Sequence, residues 1–131
     1  MDIIQLLLSY KEDNAEFHDH KYSDTNIIND AMTDAASNGH IHIVRLLLSL
    51  GADDIDEAMC DAVYEGHIEI VQLMLDLGAD DLNGAMRQAA YGGHIEIVQL
   101  LLDNGANNYQ DCIDRTDDDD IRGLLLSYMQ R

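Results

Sequence analysis

Residues 55–81 read IDEAMCDAVYEGHIEIVQLMLDLGADD, and residues 82–108 read LNGAMRQAAYGGHIEIVQLLLDNGANN. The two stretches agree at 16 of 27 positions and abut without a gap. A third copy precedes them. Gly-His recurs at Gly39-His40, Gly66-His67 and Gly93-His94, and Gly-Ala at Gly51-Ala52, Gly78-Ala79 and Gly105-Ala106. Ala-Met keeps the same period at Ala31-Met32, Ala58-Met59 and Ala85-Met86. Self-similarity at a short fixed period marks a stacked array, because one such unit cannot bury its apolar face alone.

Each unit predicts two short antiparallel helices. The first opens at Asn29, Asp56 or Asn83, N-cap residue types whose side-chain oxygen accepts from free backbone N–H groups. It carries a stripe of Ala31, Met32, Ala35 and Ala36, with Ala58, Met59, Ala62 and Val63 matching in the next unit. It ends at Gly39, Gly66 or Gly93, where a residue without Cβ can turn left-handed. The second helix runs from about Ile41 to Leu50, with Ile41, Val44, Leu47 and Leu48 at helical spacing. Gly51, Gly78 and Gly105 stop it by the same logic. Small residues on the first helix and large ones on the second predict a curved stack with the alanine-rich helices inside. Ile28, Ile55, Leu82 and Tyr109 also keep the 27-residue period and are expected to tuck the connecting loop into the core.

Both ends carry partial units. Ile3 to Ser9 matches Ile43 to Ser49, and Ile121 to Leu126 matches Ile97 to Leu102 three residues early. The expectation is one domain over 1–131. It has a partial unit at 1–10, a long irregular linker at 11–28, full units at 29–54, 55–81 and 82–108, and a shortened capping unit at 109–131. The run Asp117–Asp120 suits the polar end of a stack and the N-terminus of the helix after it.

Composition limits the function. The 131 residues are 47% hydrophobic, enough for a packed core. Against 26 acidic residues stand 7 basic ones, a formal charge of −19. That excludes a direct grip on nucleic-acid phosphates, which takes clustered Lys and Arg, and opposes docking on anionic membranes. Proline and tryptophan are absent. The apolar N-terminus lacks the basic start and small-residue cleavage site of a signal peptide, and no run reaches the roughly 18 apolar residues of a membrane span. Cys60 and Cys112 occupy different positions of the unit with no metal-type spacing. They read as reduced core thiols of an intracellular, most simply cytoplasmic, protein.

The order Ala-Ala, Gly-His, Leu-Leu, Gly-Ala resembles the ankyrin repeat. The first full unit supplies Ala35-Ala36, Gly39-His40, Val44, Leu46-Leu47 and Gly51-Ala52-Asp53. The next two repeat the pattern through Gly66-His67, Val71 and Gly78-Ala79-Asp80, then Ala89-Ala90, Gly93-His94, Val98, Leu100-Leu101 and Gly105-Ala106-Asn107. Ankyrin units run to about 33 residues, and the shortfall here lies where they carry a β-hairpin finger. Only Asp53-Asp54-Ile55 and its copies remain, and Asp30-Ala31-Met32-Thr33 stands in place of Thr-Pro-Leu-His. The expected fold is therefore all-α, an ankyrin-like solenoid of stacked antiparallel helix pairs with little or no β structure. Units without fingers are similar to repeats in some viruses and intracellular bacteria, an origin that would place the protein in a host cell.

The resemblance implies that His40, His67 and His94 fix the inter-helix turn. As a metal set they fail, because packed helices lie roughly 8–10 Å apart whereas Zn–N bonds are about 2.0–2.1 Å. His18-Asp19-His20 sits in the long linker, near Phe17 and Tyr22, without a further metal partner. Asp117–Asp120 lacks the alternating ligands of a calcium loop. No phosphate loop or nucleophile motif occurs. No catalytic residue, cofactor or metal is predicted.

The resemblance further implies partner binding through the loops and the exposed inner side of the first helices. The matching positions are Asp34, Ser37 and Asn38, then Asp61, Tyr64 and Glu65, then Gln88, Tyr91 and Gly92. Tyr64 and Tyr91 are equivalent and one unit apart. Tyrosine suits an interface because it offers large area with a polar tip, and the alternative is that both pack on neighbouring units. Arg87, a rare cation beside them, is placed to meet a partner carboxylate. The second helices expose Glu69, Gln72 and Asp76, with Glu96, Gln99 and Asp103 matching, as an ordinary solvated face.

Three functions fit. The first is a non-catalytic protein-interaction module whose acidic surface favours a basic partner. The second is an acidic mimic of nucleic acid that occupies a DNA- or RNA-binding protein. The third is an assembly unit pairing through the incomplete N-terminal unit, in a chain otherwise expected to be a monomer.

Overall fold

A computed structural model describes residues 24–131, and these form helix pairs without a strand among them. In chain order the helices are α1 (Asp24–Ser37), α2 (Ile41–Ser49), α3 (Ile55–Glu65), α4 (Ile68–Asp76), α5 (Leu82–Gly92), α6 (Ile95–Asp103), α7 (Tyr109–Arg115) and α8 (Asp119–Met129). The first helices α1, α3, α5 and α7 pack in succession, and each also packs on its own second helix. The second helices touch one another sparingly. Closer contact along the first row follows from its alanines: Ala36, Ala58, Ala62, Ala85, Ala89 and Ala90 are fully buried and let backbones approach.

The linker expected over 11–28 is helical from Asp24 onward. Ile28 lies one turn before Met32 on the same side of α1, and both are buried; burying that extra residue draws the helix backward into the linker. The partial unit at 1–10, the rest of the linker, and Phe17, His18-Asp19-His20 and Tyr22 fall outside the described residues. The core is one continuous cluster. Met32, Met59 and Met86 form its first-helix layer, and Val44, Leu47, Val71, Met74, Val98 and Leu101 its second-helix layer, all fully buried. Ile28 joins this core, and Ile55, Leu82 and Tyr109 pack against it, so the shortened loop is anchored as its period suggested.

Asn29, Asp56 and Asn83 are not N-caps. The caps of α3 and α5 are Asp54 and Asp81, two residues before Asp56 and Asn83, and Asn29 lies inside α1, which begins at Asp24. The three side chains instead reach forward to the loop before the next unit. Asn29 Oδ1 accepts from the backbone N–H of Asp53 (2.8 Å) and Asp54 (3.1 Å). Asp56 Oδ1 accepts from Asp80 (2.9 Å) and Asp81 (3.2 Å), and Asn83 Oδ1 from Asn107 (2.9 Å). Asn29 and Asn83 also donate Nδ2 to Asp53 and Asn107, at 2.9 and 3.1 Å. Asp56 has no such donor to offer Asp80. Asp56→Asn supplies it while keeping the acceptor, so it should stabilise the fold by about 0.5–1 kcal/mol, the net value of a hydrogen bond less some helix-dipole benefit. The check is a rise of a few degrees in Tm; an unchanged or lower Tm rejects it.

The recurring dipeptides are helix stops. Gly66 takes φ +83°, its N–H donates to Val63 O (3.1 Å), and the next N–H, of His67, donates to Ala62 O (2.8 Å). This paired closure defines the Schellman motif. It recurs at Gly39-His40 and Gly93-His94, and at the Gly-Ala pairs that end the second helices. Backbone bonds thus close the turn, and the histidine rings are free to act elsewhere. His67 Nε2 bonds the Ser37 carbonyl (3.0 Å) and His94 Nε2 the Tyr64 carbonyl (3.1 Å), each in the preceding unit. The rings of His67 and His94, which the resemblance assigns to the turn, thus tie neighbouring units.

Candidate partner-binding face

The exposed side of the first helices is built by the period. Ser37, Tyr64 and Tyr91 share one position at the helix C-termini, and Asp34, Asp61, Gln88 and Arg115 share another one turn earlier. Tyr64 and Tyr91 are 55% and 69% exposed, so they are mostly free of the neighbouring units they were alternatively expected to pack on. The backbone beneath Tyr64 is held by the His94 ring. Asp34, Asn38, Glu65, Arg87 and Gln88 are exposed as well, while Asp61 is half-buried. Asn38 folds back on the Asp34 carbonyl at 2.7 Å.

The face has a charge pattern along the stack. Its first two units carry Asp30, Asp34, Glu57 and Asp61. Partial burial, then the neighbouring carboxylates of Glu57, Asp34 and Asp54, push the Asp61 carboxyl above its ordinary value. Arg87, expected to await a partner carboxylate, is engaged within the chain: its Nε meets Asp111 Oδ2 at 2.6 Å. Arg115 Nε takes the other oxygen of Asp111 at 3.0 Å. Hydrogen bonds from Arg115 and Arg87 hold the Asp111 carboxyl below the usual carboxylate range. The sequence reading missed Glu57, Asp111 and Arg115, although the 27-residue spacing places each beside a residue it named.

The remaining candidates have structural work. Asp118 caps α8, accepting from Asp120 N–H (2.9 Å) and Ile121 N–H (3.1 Å), and Asp119 pairs with Arg122 at 2.8 Å. Gln72 and Gln99 donate to Asp76 and Asp103 on the second-helix face. Cys60 and Cys112 are free thiols, and burial first, then the carboxylates around Cys60 and Asp111 beside Cys112, push both up to about 11. At neutral pH they stay protonated and poorly nucleophilic. Among the described residues no three His, Cys, Asp or Glu side chains converge to hold a metal ion, and no helix is long and apolar enough to cross a membrane.

A family model described as Ankyrin repeats (3 copies) matches residues 1–83, and one described as Ankyrin repeat matches residues 81–114. No curated protein matches the chain.

Proposed function

Since the chain belongs to the ankyrin-repeat family, whose repeats are in general protein–protein interaction modules, we propose that it is a non-catalytic binder of a basic protein partner, gripped on the first-helix face. The observation that carries this is the pair Tyr64 and Tyr91, large side chains left exposed at equivalent places on a rigid stack. Aromatic anchors of this kind concentrate binding energy. Beside them partial burial, and after it the neighbouring carboxylates of Glu57, Asp34 and Asp54, raise the Asp61 carboxyl, and an incoming cation relieves the crowding of charge. Side chains fixed on packed helices lose little further freedom on binding, which favours affinity.

Affinity capture from cell lysate at low and high salt tests the reading, with Tyr64→Ala/Tyr91→Ala in parallel. The expected result is a partner that survives high salt and is lost from the double mutant, with affinity falling at least tenfold. Capture that ignores both tyrosines and washes off with salt rejects the tyrosine-anchored face and supports an acidic mimic of nucleic acid instead.

A further inference from the structure

We propose that the first-helix face accepts its partner in one orientation, as a segment whose Lys or Arg residues lie at one end, over the first two units, and whose other end brings a carboxylate to Arg115. This rests on the binding face proposed above and adds a direction to it. Along one row the residues are Asp34, Asp61, Gln88 and Arg115, so charge steps from negative through neutral to positive. On the first helices the only cations among the described residues are Arg87 and Arg115, both in the later half. The ion pairs among the described residues lie there too: Arg87–Asp111, Arg115–Asp111 and Arg122–Asp119. Asp34, Glu57 and Asp61 take part in none of them.

The two halves therefore ask for different chemistry. A cation over Asp34, Glu57 and Asp61 meets carboxylates with no ion-pair partner among the described residues. A cation over the later half meets Asp111, which already holds two arginines, with Arg115 half-exposed at its side; there it meets repulsion. Asp114, the other carboxylate on α5 and α7, accepts from Gln110 at 2.9 Å, and in the run Asp117–Asp120 just beyond α7, Asp118 caps α8 and Asp119 holds Arg122. A carboxylate placed beside Arg115 is favoured by the same count. Between the ends, Tyr64 and Tyr91 offer area without charge. Three steps between helices roughly 8–10 Å apart span roughly 24–30 Å, the reach of about 8 extended residues or of a helix of about 16–20 residues. A uniformly basic segment gains at one end and loses at the other.

Two synthetic 18-residue peptides of identical composition test this, with a Leu-rich centre. In one, three Lys sit at one end and three Glu at the other, made in both chain directions; in the second they are interspersed. Each carries a nitroxide at either end, and broadening of the protein's backbone amide NMR signals is read at low salt. The segregated peptide is expected to bind at least fivefold tighter in one of its chain directions. Its Lys end should broaden Asp34 and Asp61, and its Glu end Gln88 and Arg115. Arg115→Glu should remove the advantage, and Asp34→Lys, which alters no ion pair of the described residues, should do so without touching the capping unit. Equal binding of both peptides on this face, with either end broadening both halves, overturns the orientation and leaves the face standing. Broadening confined to other surfaces overturns both.

Discussion

Met59→Ala should destabilise the protein by about 3–4 kcal/mol, within the range for truncating a buried Met to Ala. Met59 is fully buried on α3, which packs against α1 on one side and α5 on the other. Met32 and Met86 occupy its position in the flanking units and are equally buried. Truncation opens a void in the middle of this layer. The alanine backbones around it are already in close contact and have little room to move inward. In an array whose stability is a sum of unit and nearest-neighbour terms, a central lesion weakens two interfaces at once. Against a total of about 5–15 kcal/mol for a domain of this size, much of the fold's margin would go. Urea unfolding measures it, with Met59→Leu as the volume-conserving control at less than about 1.5 kcal/mol. A loss below about 1 kcal/mol for the alanine variant would show that the layer collapses to fill the gap.

Gly66→Ala should cost about 2–3 kcal/mol. The backbone there is left-handed at φ +83°, which costs an L-residue about 1–2 kcal/mol. A Cβ at Gly66 also falls 2.8 Å from His94 Cε1 and 3.0 Å from Nδ1. The ring must shift, and its bond to the Tyr64 carbonyl is lost with it, about 1 kcal/mol more. Gly78 separates the two causes. It is left-handed too, at φ +100°, but a Cβ there meets nothing within 4 Å. Gly78→Ala should therefore show the backbone strain alone, about 1–2 kcal/mol. Placing Gly66→Ala on a His94→Ala background should cost no more than Gly78→Ala does. If Gly66→Ala and Gly78→Ala cost the same in the natural background, the histidine tie contributes nothing to stability.

The helix pairs, their glycine stops and the core stripes were legible because each is a local pattern repeated three times. The Schellman turns need only a glycine followed by its partner residue, and both lie next to each other in the chain. Ties between units were harder to read. The hydrogen bond from His94 to Tyr64 joins residues 30 apart, and nothing in the dipeptide Gly93-His94 says which carbonyl the ring will find. Asn29, Asp56 and Asn83 show the same difficulty. Their side chains suit an N-cap, but α3 and α5 begin one residue earlier, at Ile55 and Leu82, which gain contact with the core in the first turn, and α1 begins five residues before Asn29. The freed side chains then serve loop amides 24 and 25 residues ahead. On the candidate face, Tyr64 and Tyr91 followed from the period. The pairing of Arg87 with Asp111, 24 residues on, did not, since a one-unit step less three residues is visible only once the helices stand side by side.

The side-chain ties of the stack also bear on how such a chain can change its length. The histidine tie runs from one unit to its immediate neighbour, whereas the loop tie closes within a unit, from its first helix to the loop that leads to the next. His67 reaches back to the Ser37 carbonyl, and Asp56 reaches forward to the Asp80 and Asp81 amides. Units 55–81 and 82–108 each hold a complete loop tie and the ring of a histidine tie whose carbonyl lies in the unit before. A duplication of 27 codons in frame, or the loss of 27, leaves every tie with a matching mate at the new junction. Gene lengthening by whole units thus keeps these ties, whereas an insertion of another size inside a helix shifts a histidine or a loop side chain out of register with the group it meets.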